Sequence, residues 1–394
     1  MTLIIDTASL IGGGILLLLV LAATLTDVFL RKSRRTENPL VAHEADEVKE
    51  MAEPSCDYPP VSIIVTPHDK AYELDQHLPL LLEQDYPAPF RIIVVFWRGE
   101  SDTDDVLKKY AAYPHLYATY IPDSSRYMSR KKLAITVGEK AATTEWLLLT
   151  DVTCRPQSKY WLRAMARHAT RERNLVIGHT RFDDDTPPFR RFLRSYTSLY
   201  LQQELARGTA YRCEGNALML RRSEFEKRDG FRANLKYLRG EYDFIVNEYA
   251  RPGTTAFENS EDGTLLELCP TDKVWRNKLL YYMEDRRHMA RTAAHRWRHN
   301  LAQTLLHLSV VALLASVLLG CLTARWILVA WAVQLLAATV GLRTWICLRA
   351  LRSMDEDQPA SRLFLYEMRL LWHYLAFHVR YHRANKDDFI THKI

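Results

Sequence analysis

Six cysteines in 394 residues, scattered with no paired spacing, leave the chain without a disulfide framework or a zinc-ligand pattern, as expected in a reducing compartment. No internal repeat or low-complexity tract appears, which excludes a repeat array. A net charge of +6 is too generic to indicate nucleic acid, although it suits a chain lying on an anionic membrane surface. The first apolar run, Ile11 to Leu30, lacks a basic stretch before it. Its positive charges, Arg31-Lys32 and Arg34-Arg35, follow it, which favours an anchor over a cleaved signal peptide.

What the chain does have is apolar length. Leu301 to Leu322 and Trp326 to Leu348 are two further runs, separated by Thr323-Ala324-Arg325. Each is about twenty residues, enough to cross a hydrocarbon core. Lys and Arg gather after the first run, before the second (Arg291, Arg296, Arg298) and after the third (Arg349, Arg352). The positive-inside rule then places residues 31–300 and the C-terminal tail in the cytoplasm. Arg343, inside the third run, is expected to snorkel or to face a neighbouring helix. The expected layout is therefore an anchor and basic flank at 1–35, a linker at 36–59, a cytoplasmic domain at 60–300, a transmembrane hairpin at 301–350 and a tail at 351–394. Within the tail, Leu363 to Tyr381 carries its apolar and basic residues on opposite sides, the pattern of an interfacial helix.

The cytoplasmic region alternates strands and helices, which predicts an α/β domain with a mostly parallel sheet covered on both faces. Val61 to Val65 reads as a strand closed by Pro67. Leu74, Leu78, Leu81 and Leu82 mark a helix in which Pro79 should produce a kink or a late start. Arg91 to Phe96 and Leu116 to Ile121 are further strands, and Ser101-Asp102-Thr103-Asp104 has the form of a capping box. An amphipathic helix opens at Arg130. The chain's centre of gravity is Trp146 to Pro156, where an apolar strand runs into Asp151 and then a turn. Ligand chemistry in open α/β sheets collects just there, beyond the carboxyl ends of strands.

This order of pieces resembles the inverting glycosyltransferases of family 2, membrane-anchored enzymes with a GT-A nucleotide-diphospho-sugar fold, over about residues 58–300. Gln84-Asp85-Tyr86-Pro87 is similar to the family's Gln-Asp-Tyr-Pro turn. Lys131, Ala134 and Gly138 fit its Lys-x-x-Ala-x-x-x-Gly helix, and Asp151-Val152-Thr153 stands at its Asp-x-Asp position. Gly215-Asn216-Ala217 resembles the acceptor-side segment, Gly240-Glu241-Tyr242-Asp243 the catalytic acidic pair, and Glu284 to His288 a degenerate Gln-x-x-Arg-Trp.

The resemblance implies a role for each position. Glu241 is the expected base for an acceptor hydroxyl, with Asp243 as the alternative, and a plain helix-terminal acid is the competing reading. Arg287, with Arg286 and His288 beside it, is expected at the departing diphosphate, or else forms a membrane-flanking basic cluster. Pro67, His68 and Asp69 are expected at the nucleotide, Lys131 and Lys132 at donor phosphate, and Gly215 and Asn216 on the acceptor side. The usual acid after the second strand is replaced by Trp97-Arg98, so Trp97 is a candidate for base stacking and Asp102 for the missing acid. Asp151 is the expected ligand of Mg²⁺ or Mn²⁺, alone with the diphosphate completing the shell because Thr153 replaces the second acid, or else it contacts only ribose. The implied partners are a nucleotide-sugar donor, a lipid-linked or membrane-proximal glycan acceptor, the inner membrane and other polysaccharide-assembly proteins of the cell envelope. A catalytically inactive relative serving as an assembly subunit is the alternative. The degenerate Gln-x-x-Arg-Trp segment makes processive synthesis doubtful.

Overall fold

The structure, a computed structural model, describes residues 7–31, 58–121 and 129–389. The expected linker therefore lies outside the described residues except for Tyr58 and Pro59. Contacts divide the chain into two units.

The larger unit contains residues 35–187, 201–290 and 377–394. Its sheet begins with β1 (Val61–Val65), β2 (Phe90–Trp97), β3 (Leu116–Ile121) and β4 (Trp146–Thr150), and continues with β6 (Leu175–Gly178), β8 (Leu218–Arg221) and β9 (Thr255–Glu258). The spatial order is β3-β2-β1-β4-β8-β6-β9. The pairs β3/β2, β2/β1, β1/β4 and β6/β9 are parallel, and β8 runs antiparallel to both its neighbours. All five residues of β1 and of β4 are buried, because each strand is covered on both faces. Ile63 and Val65 pack towards α2 (Ala71–Leu82), while Ile64 packs towards α4 (Arg130–Ala141).

The chain leaves β1 for β2 and β3 on one side, then returns with β4 on the other. The β1/β4 boundary is thus the topological switch point, beyond whose strand ends ligands bind in such sheets. A second sheet, ordered β5-β10-β7, consists of β5 (Cys154–Pro156), β7 (Thr180–Phe182) and β10 (Leu265–Glu267).

Pro79 lies inside α2 near its end. Proline has no N–H to offer the carbonyl four residues back. That carbonyl, of Asp75, instead accepts from the Tyr110 hydroxyl at 3.3 Å. The capping box at Ser101 does not form. The next helix, α3 (Ser101–Lys109), is preceded by Glu100, and Thr103 donates to Glu100 Oε2 at 3.1 Å. Gln84-Asp85-Tyr86-Pro87 is a structural staple. Gln84 bonds Leu80 O, Ser158 O and Leu162 N, which fixes the entry to α5 (Trp161–Ala166), while Tyr86 donates to Pro59 O at 2.5 Å.

The smaller unit contains residues 1–34, 188–200 and 291–376. It holds α1 (Thr7–Leu25), α10 (Ala293–Leu322) and α11 (Trp326–Arg352), each long and apolar enough to cross a membrane. Leu16 and Val20 pack against Leu313, Leu328, Ala332 and Leu335. Ile11, Leu18, Val311 and Leu318 point outward, as a lipid solvent allows. Arg343 does not snorkel. It is buried between Glu367, at 2.8 Å, and Asp27, at 3.2 Å, and donates to Ala23 O. The tail helix α12 (Ala360–Arg383) has two apolar sides: Leu363 and Leu370 are buried, whereas Leu365, Trp372 and Leu375 are exposed.

Candidate active site

The helix α4 positions the first functional group. Residues 131, 134 and 138 share one helical face. Ala134 is buried against the sheet, and a Cβ on Gly138 would stand 2.7 Å from Ile64 Cγ2. Two small residues therefore let the helix lie close on β1, and Lys131 is carried to the strand ends. There its ammonium donates to Asp151 Oδ2 at 2.7 Å. The other oxygen, Oδ1, accepts from Thr153 N (3.0 Å) and from the Thr153 hydroxyl (2.8 Å), with Lys70 Nζ 4.0 Å away. Burial alone would raise the Asp151 carboxyl, but Lys131 and Lys70 outweigh it and hold it well below the usual carboxylate range.

The end of β1 meets the end of β2. His68 Nδ1 lies 3.0 Å from Glu100 Oε1, and Arg130 Nη1 lies 2.6 Å from His68 Nε2. A guanidinium only donates, so Nε2 accepts and Nδ1 carries the hydrogen that Glu100 receives. Trp97, the last residue of β2, lies beside the His68 ring and under Arg130. Asp69 is exposed at positive φ, and buried Pro67 closes β1. His68, Asp69 and Glu100 offer one donor atom each within 4.8 Å of one another, a candidate cation site.

Two expectations change here. Asp102 is exposed on α3 and accepts from Ser101. The acid that lies beside His68 just past β2 is Glu100, with a side chain only 12% exposed. It went unread because it follows the strand after a turn, at Gly99, rather than directly. Lys132 is the second correction. It is fully buried and donates to the Asn234 and Tyr237 carbonyls at 2.6 and 2.8 Å. Burial pushes its ammonium down to about 8. One residue round the helix from Lys131, it tethers the loop that leads to Gly240.

The acidic pair opens α8 (Glu241–Tyr249). Gly240 has φ +80°, and a Cβ there would stand 2.6 Å from Asp285 Oδ2, so only glycine fits. Glu241 is 7% exposed and accepts from Ser129 Oγ at 3.2 Å. Asp243 accepts from Cys213 N at 3.0 Å and lies 3.7 Å from Arg212. Burial pushes Asp243 up to about 6 against the pull of Arg212. Asp285 is buried near both acids, and burial followed by their charge pushes it up to about 9. Neither Arg212 nor Asp285 was singled out in the sequence, since no periodic or motif signal marks them.

Gly215 and Asn216 sit against β7. A Cβ at Gly215 would collide with the Thr180 hydroxyl, and Asn216 N donates to that hydroxyl while Nδ2 reaches Cys154 Sγ at 3.3 Å. The segment thus lies beside the turn that follows Asp151. Arg287 is exposed and donates to the Tyr381 hydroxyl at 2.8 Å; that hydroxyl also bonds Glu284. His288 bonds Glu284 and stacks on Tyr237, and Arg286 caps α9 (Asp272–Asp285). Among the described residues no hydrogen bond joins this cluster to Asp151 or Lys131. In this arrangement Arg287 is held to the C-terminal segment through Tyr381.

The mostly parallel sheet, with Asp151 just past β4 at its switch point, has the GT-A nucleotide-sugar transferase fold. The solved mannosyltransferase PcManGT from Pyrobaculum calidifontis, in complex with GDP-Man and Mn²⁺, shares it at 18% identity and a TM-score of 0.53. That likeness spans 92% of this chain and 99% of the other. Residues 1–349 of TarS from S. aureus, with UDP-GlcNAc, align at 12% identity over 80% of this chain and 92% of theirs, with a TM-score of 0.41. Residues 62–226 match the family model described as glycosyl transferase family 2. A search of curated proteins gives no significant match. Over residues 62–226 the chain is similar to a family 2 glycosyltransferase domain.

Proposed function

We propose that this enzyme is membrane-anchored and moves a sugar from a nucleoside-diphosphate donor to a hydroxyl of a lipid-linked or membrane-proximal glycan, inverting the anomeric centre. The observation that carries the reading is the start of α4. Within three residues it touches both halves of the site: Ser129 donates to Glu241, and Lys131 pairs with Asp151. Glu241 takes the proton of the acceptor hydroxyl as its oxygen bonds to the anomeric carbon. The bond from that carbon to the β-phosphate oxygen breaks on the opposite face, and its electron pair leaves with the diphosphate. His68, Trp97 and Glu100 meet the nucleoside, Gly215 and Asn216 the acceptor side. Three spanning helices and basic flanks favour a cytoplasmic site at the inner membrane, in cell-envelope polysaccharide synthesis.

A divalent ion fits this donor set poorly. A hard cation in such a site takes one or two free carboxylates plus phosphate oxygens. Asp151 is the single carboxylate at the position, and its oxygens already accept from Lys131 and twice from Thr153. In the His68–Asp69–Glu100 cluster, both ring nitrogens of His68 are already engaged, by Arg130 and Glu100.

The test is transfer by the purified full-length protein in nanodiscs against a nucleotide-sugar panel, with the product anomer read by NMR. Turnover with an inverted product is expected. Nucleotide binding without turnover towards water or any glycan would favour the non-catalytic assembly subunit instead.

A further inference from the structure

The strongest unassigned feature is the charge around Asp151. One carboxylate against a divalent ion leaves a formal charge of +1. One carboxylate against Lys131 (2.7 Å) and Lys70 (4.0 Å) leaves the same +1, built from the chain itself. We infer that Lys131, with Lys70, is the resident cation of this site, and that the enzyme binds and releases its nucleoside diphosphate without a metal ion. The inference rests on the nucleotide-sugar reading above.

Three observations support it. Thr153 is turned inward as a donor: both its N–H and its hydroxyl point at Asp151 Oδ1, so the residue that replaces a second acid holds the first one in place. Asp151 in turn holds Lys131, whose ammonium has three hydrogens and gives one to Oδ2; two remain for phosphate oxygens. The lysine stem is fixed by the close approach of α4 to the sheet, and Tyr242 lies under its ammonium at 4.6 Å. A cation held this firmly needs no reorganisation as charge develops on the leaving group, which is the condition for electrostatic stabilisation of a departing anion. A second acid at residue 153 would cancel the local +1, so threonine there is consistent with a lysine cation.

The experiment is calorimetric binding of ADP, CDP, GDP and UDP to the full-length protein in nanodiscs, in EDTA and in excess Mn²⁺, with Mn²⁺ retention followed by electron paramagnetic resonance. The best diphosphate should bind with equal affinity in both media, within about threefold, and Lys131→Met should weaken it at least tenfold in EDTA while Lys131→Arg keeps most of it. Thr153→Asp should reverse the behaviour, with weak binding in EDTA, recovery in Mn²⁺ and a Mn²⁺ signal lost to the protein. This arm does not depend on the Met variant folding. Wild-type binding that requires Mn²⁺, a Lys131→Met protein of unchanged affinity, or a Thr153→Asp protein that retains no Mn²⁺ would each overturn the inference and leave the transferase reading standing. Failure to bind any diphosphate in either medium would overturn both.

Discussion

The two carboxylate groups of the site sit in opposite electrostatic surroundings. At the end of β4, Asp151 is buried yet held ionised, because Lys131, Lys70 and two Thr153 donors surround it. At the start of α8, Asp243 has Arg212, the Cys213 N–H and Lys278 to oppose burial, and Asp285 has Lys132, but neighbouring acids add to the burial, and both are pushed up, to about 6 and about 9. Burial is common to the two regions; what differs is that acids crowd one another at α8, whereas Asp151 is surrounded by donors. Environments that drive titratable groups apart in this way separate the roles of a site; in the proposed function Asp151 is the charged anchor of the donor side and the α8 acids handle protons on the acceptor side.

The comparison breaks most severely at Glu241. Glu241→Gln should cut kcat by about 10²–10⁴-fold while diphosphate affinity stays unchanged, since a lost base removes a transition-state interaction only. Parallel loss of nucleotide binding in calorimetry would move Glu241 to the donor side. Glu100→Gln comes next. It should weaken nucleotide affinity about tenfold by replacing the charged acceptor of the His68 hydrogen with a neutral amide, whereas Asp102→Ala, on an exposed side chain, should stay within about twofold. Equal losses in the two variants would count against the assignment of Glu100.

Asp243 sharpens the contrast through pH. Its carboxylate is lost as pH falls through about 6, so kcat/KM should drop on an acid limb near that value, and Asp243→Asn should abolish the limb. The smallest effect is on stability. Asp285 keeps its proton to about 9 in the folded chain against an ordinary value of 3.8 when unfolded. Stability from this group is therefore complete below pH 3.8 and is lost as pH rises through about 9. Asp285→Asn should flatten that decline, raising the thermal midpoint over wild type by a few degrees at pH 9 and hardly at all at pH 5.

Periodicity and strand-end logic made most of the larger unit legible. The buried runs of β1 and β4, the 131-134-138 stripe and the glycine before Glu241 each have a local physical cause that the sequence shows directly. The site's partners were less legible, because they come from side-chain direction. Lys131 and Lys132 look equivalent in the chain, yet they lie about 100° apart on a helix, so one meets a carboxylate and the other two carbonyls. Glu100 was hidden by the single turn that separates it from β2. Asp285 and Arg212 acquire meaning only when α9 and the 208–215 segment are brought up to α8, a long-range event that leaves no local pattern. Arg287 was read from a motif, and its hydrogen bond goes to Tyr381, 94 positions away.

Arg343 has a consequence for how the chain is made. A lone arginine at the centre of a spanning helix costs about 2.5–3.5 kcal/mol to insert by translocon scales. Its two counter-charges are supplied from the first span, through Asp27, and from beyond the last, through Glu367. Synthesis delivers Asp27 hundreds of residues ahead of Arg343 and Glu367 only after it. A nascent chain cut between Arg352 and Ala360 leaves the arginine without Glu367, so docking of the tail helix supplies the second of its two counter-charges.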